Sequence, residues 1–231
     1  DYIRLTANNG SITNGVASGD ISDIHLIAGS YITLLADNII KNYATISATT
    51  DLSITSNNNA INNYATIRGG SGTTTITATN TTNGAFNNIG TGSKLIIANE
   101  EVNRTTFAHL ATINATNLNN DGNISVKNDL ITNITNDLNN NASALIWAGR
   151  NLTLGVNHNV NNLMGAAIYT EDGALRIQSI AGNKINQLTN SSGEIISYGL
   201  NGNLADNADT RGNLTIKATT LNNIRTIDAV D

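Results

Sequence analysis

The pentapeptide Asn-Tyr-Ala-Thr-Ile occurs twice and places Tyr43 and Tyr64 21 residues apart; the spacing carries on to Phe86 after 22 residues and to Phe107 after 21 more. A repeat this short cannot bury its own apolar face, so it marks a solenoid in which each unit packs on the next. In the same register an Ile or Leu follows each aromatic three residues on (Ile46, Ile67, Ile89, Leu110), and then an alternating pair. The pairs are Leu52 and Ile54, Thr74 and Ile76, Leu95 and Ile97, Ile124 and Val126. Spacings of two, in runs closed by Asn, Gly, Asp or Ser, predict strands of about three to five residues between tight turns.

Strands stacked in this way pair with the rungs above and below, so the expected fold is all-β: a right-handed parallel β-helix of roughly 20–22-residue rungs. The 231 residues then make roughly 11 rungs and a rod near 50 Å long at the interstrand spacing. Two oddities of composition fit this fold: 41 Asn and 30 Thr, and no Pro. Stacked Asn side chains form hydrogen-bonded ladders, whereas Pro removes a donor that a neighbouring rung needs. Tyr43, Tyr64, Phe86 and Phe107 are expected to form one aromatic ladder that stabilises the stack and binds nothing.

The period loosens after residue 117. A second motif takes over at Gly149-Arg150-Asn151-Leu152-Thr153-Leu154, Gly173-Ala174-Leu175-Arg176-Ile177 and Gly212-Asn213-Leu214-Thr215-Ile216. Short apolar strands precede these: Ala144 to Trp147, Ala166 to Tyr169 and Glu194 to Tyr198. The chain therefore divides into regular repeats over 1–141 and irregular rungs with insertions over 142–231, within one continuous solenoid.

With "GRNLTL", "DGALRI" and "GNLTIKATTLNN", the chain resembles the filamentous haemagglutinin repeats of two-partner secreted exoproteins, including effectors of contact-dependent growth inhibition and related adhesins. Where that family often has Asp in Gly-Asp-Leu, this chain has Asn151, Ala174 and Asn213, so no role of the carboxylate carries over. The resemblance implies a rod exported by an outer-membrane two-partner transporter to the surface of a Gram-negative bacterium. It also implies a receptor on a target cell: an outer-membrane protein or lipopolysaccharide of a neighbouring bacterium, or a host-cell surface.

Charge and motifs narrow the chemistry. The net charge is -5 with no run of Lys or Arg, which argues against nucleic acid as a partner. Apolar runs are far shorter than a bilayer-spanning helix requires. With no Cys there are no disulfides or thiol-metal sites. No metal and no cofactor is expected, and no catalytic residue is assigned. Some β-helices are carbohydrate-active enzymes of the tailspike or polysaccharide-lyase type, and this is the alternative reading. It requires clustered carboxylates, whereas Asp20 and Asp23, Glu100 and Glu101, Glu171 and Asp172, Asp206 and Asp209 are scattered along the chain. His25, His109 and His158 read as surface or turn residues, and "RGGSGTT" as a turn.

Recognition is instead expected in the irregular region, which gathers Trp147, Arg150, His158, Met164, Tyr169, Arg176, Tyr198 and Arg211, because aromatics and Arg are enriched in binding hot spots. Trp147 and Tyr169 lie within strands and are open to a core role. Arg150, His158, Tyr198 and Arg211, beside turns or insertions, are the receptor-binding candidates.

Overall fold

Apolar side chains at alternate positions in runs of three to seven residues produce three short strands per turn of the chain. A computed structural model describes residues 1–17, 25–97, 110–198 and 212–230. Among these the strands stack into three parallel sheets of nine, and the chain is a right-handed parallel β-helix with three faces. In chain order the faces are sheet A, which begins with Tyr2–Ala7, sheet B with Ile12–Asn14, and sheet C with Leu26–Ala28. The last rung is Leu214–Ile216, Ala218–Asn223 and Thr226–Val230. All three sheets run unbroken across residues 141 and 142.

Nine rungs, rather than eleven, give a stack of about 40 Å at the interstrand spacing. Three rungs are longer than the period implies. The step from Ile3 to Ile32 takes 29 residues, from Thr74 to Ala111 37, and from Leu175 to Leu214 39. The other steps take between 19 and 23.

Inside the prism, columns of identical or similar side chains meet. Ile46, Ile67, Leu95, Ile124, Ile146, Ile168 and Ile195 follow one another along sheet C, all fully buried. Leu152 and Leu154 align with Leu175 and Ile177, then with Leu214 and Ile216. The second sequence motif is therefore one strand of sheet A repeated in three successive rungs. Burying each such Leu or Ile stabilises the stack by about 1.5–3 kcal/mol.

The asparagines form the expected ladder, at the corner between sheets B and C. Asn14, Asn42, Asn63, Asn88, Asn120, Asn140, Asn162, Asn190 and Asn223 occupy one register position in all nine rungs. Each Nδ2 donates to the Oδ1 of the next at 2.8 Å. The same nitrogens donate to backbone carbonyls at the start of the following rung's sheet C strand, among them those of Thr66, Lys94, Leu145 and Glu194. A carbonyl can only accept, so these contacts fix which end of each amide points along the axis. A second ladder, Asn62, Asn87, Asn119, Asn139 and Asn161, runs on the outer face of sheet B with the opposite polarity.

The Asx position before the sheet A strands has a structural task. Asp51 Oδ1 accepts the Thr73 amide at 2.7 Å, Asp129 Oδ1 accepts the Asn151 amide at 3.0 Å, and Asn151 Oδ1 accepts the Ala174 amide at 3.1 Å. An amide oxygen performs this cap as a carboxylate does, so Asn151 does in its rung what Asp51 and Asp129 do in theirs.

The single aromatic ladder does not form. Tyr43 and Tyr64 do stack, with ring centroids 4.6 Å apart and planes within 11°, but they do so on the surface, at the turn between sheets B and C. Phe86 instead lies in the core, aligned with Ile61 and Leu118. The turn after Ala78 is three residues longer than the one after Ser56, so Ile89, not Phe86, follows Tyr64 in register. Phe107 lies outside the described residues. The alternating pairs divide as well: Leu52 with Ile54 and Thr74 with Ile76 belong to sheet A, whereas Leu95 with Ile97 and Ile124 with Val126 belong to sheet C. The step from Thr74 to the next sheet A strand takes 37 residues, so a 21-residue period falls on sheet C of the same rung.

Candidate functional site

In the sheet C strand Leu145–Ala148, the buried Ile146 and Ala148 face the core, so alternation turns Leu145 and Trp147 outward. One rung on, Ala167–Thr170 turns Ala167 and Tyr169 outward above them. The next strand, Glu194–Tyr198, adds Ile196 and Tyr198. Of the seven outward side chains on these three successive rungs, six make an apolar island; the seventh, the exposed Glu194, follows Ala167 in the column of Leu145 and borders it. In the column of Trp147 it is bounded by Ser125 in the rung before and by Asp228 in the rung after Ile196.

The rings touch one another without covering one another. Trp147 and Tyr169 have centroids 6.4 Å apart at an angle of 52°, and Tyr169 meets Tyr198 at 6.1 Å and 86°. Burial among these neighbours, then the nearby charge of Glu171, then Tyr198, raise the Tyr169 phenol above its ordinary 10.0. It stays protonated and able to donate a hydrogen bond at neutral pH.

Of the candidates, the structure brings Tyr198 and Arg150 to this region of the surface. Tyr198 belongs to the island. Arg150 is half-buried in the turn that follows Trp147's strand, its amide donating to the Asn128 carbonyl at 3.1 Å. His158 lies elsewhere, exposed on the turn between sheets A and B, with Nδ1 2.9 Å from Asp137 Oδ1. Arg211 lies outside the described residues, as do His109, Asp206 and Asp209. Arg176 points outward from sheet A, between Thr153 and Thr215, and Met164 is exposed in a turn.

Trp147 and Tyr169, left between core and surface by the sequence, both lie half-buried on the outer face. Among the described residues no group of three or more His, Asp or Glu is placed to hold a metal ion. Comparison with known proteins gives no match to a family model, to a curated protein or to a solved structure.

Proposed function

We propose that this chain is a non-enzymatic, rod-forming segment of a secreted exoprotein on the surface of a Gram-negative bacterium, binding a receptor on a neighbouring cell. The observation that carries the reading is the island of Trp147, Tyr169 and Tyr198, with Leu145, Ala167 and Ile196, on a sheet face whose other rungs present single outward apolar residues, Ile27 and Ile96, among polar and charged ones. Apolar aromatic patches on soluble proteins mark interaction sites. The repetitive faces of the remaining rungs, with few and scattered charges, suit a spacer that holds such a patch away from the cell. The haemagglutinin-like strands at Leu152, Leu175 and Leu214 support export through a two-partner outer-membrane transporter. The partner is an outer-membrane protein or lipopolysaccharide. The test is binding of the purified chain to target cells: the Trp147→Ser/Tyr169→Ser variant, both changes on the outer face, should lose binding while melting within a few degrees of wild type. Undiminished binding by that folded variant would refute the reading.

A further inference from the structure

Seven of the eight described aromatics lie outside the core, and all seven contact another ring along the rod. They do so in two different ways. Tyr2 with Tyr31 and Tyr43 with Tyr64 are nearly coplanar, at 8° and 11°, with centroids 5.0 and 4.6 Å apart. Each ring in those pairs spends a face on its partner, which is what a purely structural stack requires. The Trp147–Tyr169–Tyr198 set is tilted by 52° and 86°, so edges meet faces and ring faces are left uncovered by one another. Edge contacts still hold the rings in place, and an ordered ring loses little freedom when a ligand stacks on it.

The size of the island selects the ligand. Three rungs at about 4.8 Å and four strand residues at about 3.3 Å make a surface of roughly 200 Å². A stable protein partner covers about 800 Å² on each side. The island is therefore small for a protein docking site and of the size of a few sugar rings. Indole and phenol faces suit the apolar C–H face of a pyranose, while the indole N–H and the protonated Tyr169 hydroxyl can donate to sugar oxygens.

We infer that Trp147, Tyr169 and Tyr198 form a platform that binds a glycan chain by stacking against its pyranose rings. The inference deepens the receptor-binding role and rests on placing recognition at this surface. Trp147 is the only tryptophan, so its fluorescence reports the platform without a label. Maltohexaose, cellohexaose, chitohexaose and lipid-free polysaccharide from the target-cell envelope are titrated into the full chain to millimolar concentration. At least one should shift or quench the emission saturably, and Tyr169→Ala and Tyr198→Ala should each weaken that binding about tenfold or more. Tyr43→Ala, in a coplanar pair, should leave it unchanged. No response to any of the four, or a response insensitive to Tyr169→Ala and Tyr198→Ala, would overturn the proposal. Cell binding that is lost in Trp147→Ser/Tyr169→Ser but persists on cells stripped of surface polysaccharide would also overturn it, while leaving the receptor-binding role in place.

Discussion

Asn88 and Asn120 are 32 residues apart in sequence, yet the Nδ2 of Asn88 donates to the Oδ1 of Asn120 at 2.8 Å in the buried corner of adjacent rungs. Asn63 donates to Asn88 at the same distance from the rung before. Replacing Asn88 by Ala takes the ladder partner from the buried Asn63 Nδ2, which keeps the Lys94 carbonyl, and from the buried Asn120 Oδ1, which keeps the Gly122 amide, and it also removes the bond to the Asn123 carbonyl. Each buried bond lost costs about 1–3 kcal/mol. Chemical denaturation should show a loss of about 2–5 kcal/mol for Asn88→Ala. Asn119→Ala, on the half-exposed outer ladder where water replaces the lost partner, should lose less than about 1 kcal/mol.

Phe86 and Tyr64, which the repeat spacing sets in one column, should respond differently to truncation. Phe86→Ala empties a fully buried site and should cost about 3–5 kcal/mol. Tyr64→Ala removes a surface ring that is 37% exposed and loses about the 0.5–1.5 kcal/mol of a stacked pair. Equal losses in thermal or urea melts would contradict the register.

That mismatch marks the limit of what the sequence reveals. Period, strand length, parallel stacking and the asparagine ladder are legible because backbone pairing forces like residues into columns. The rung count is not, since the steps to Ile32, Ala111 and Leu214 are much longer than the rest. A better signal was present in the triplet apolar-x-Asn, which recurs from Ile12–Asn14 through Phe86–Asn88 to Leu221–Asn223 and marks sheet B in every rung. The facing of Trp147 was illegible for another reason. Leu145, Ile146, Trp147 and Ala148 are all apolar, so alternation has no polar side to fix the parity. Only pairing with Ile124 and Ile168, which places Ile146 in the core column, does so.

Close stacking at the corner between sheets C and A leaves no room for a side chain at Gly149. A Cβ there would lie 2.0 Å from the Lys127 carbonyl oxygen, whereas at Gly92 it would meet nothing within 4 Å. Gly149→Ala should therefore destabilise by about 1–3 kcal/mol. Gly92→Ala should stay within about 0.5 kcal/mol of wild type.

Asp37 ties the first three rungs together, its carboxylate accepting the Asn9 amide at 2.7 Å from the rung before and the Asn57 side-chain amide at 2.8 Å from the rung after. The Asn9 bond first, then the Asn57 bond, lower its pKa below the ordinary 3.8. A depressed carboxylate stabilises the fold above its unfolded pKa, and the contribution fades as pH falls through the folded value. Hydrogen exchange at the Asn9 amide should thus stay protected at neutral pH and lose protection only below about pH 4. Asp37→Asn should abolish that pH dependence.

The account turns on Trp147 facing outward and meeting the target there. Acrylamide quenching of this single tryptophan, with and without outer-membrane vesicles from target cells, reads both halves of that statement. The prediction is an indole open to quencher in the free chain and shielded when the chain is bound to vesicles. An indole already shielded in the free chain, or one equally quenched while the chain is vesicle-bound, would contradict it.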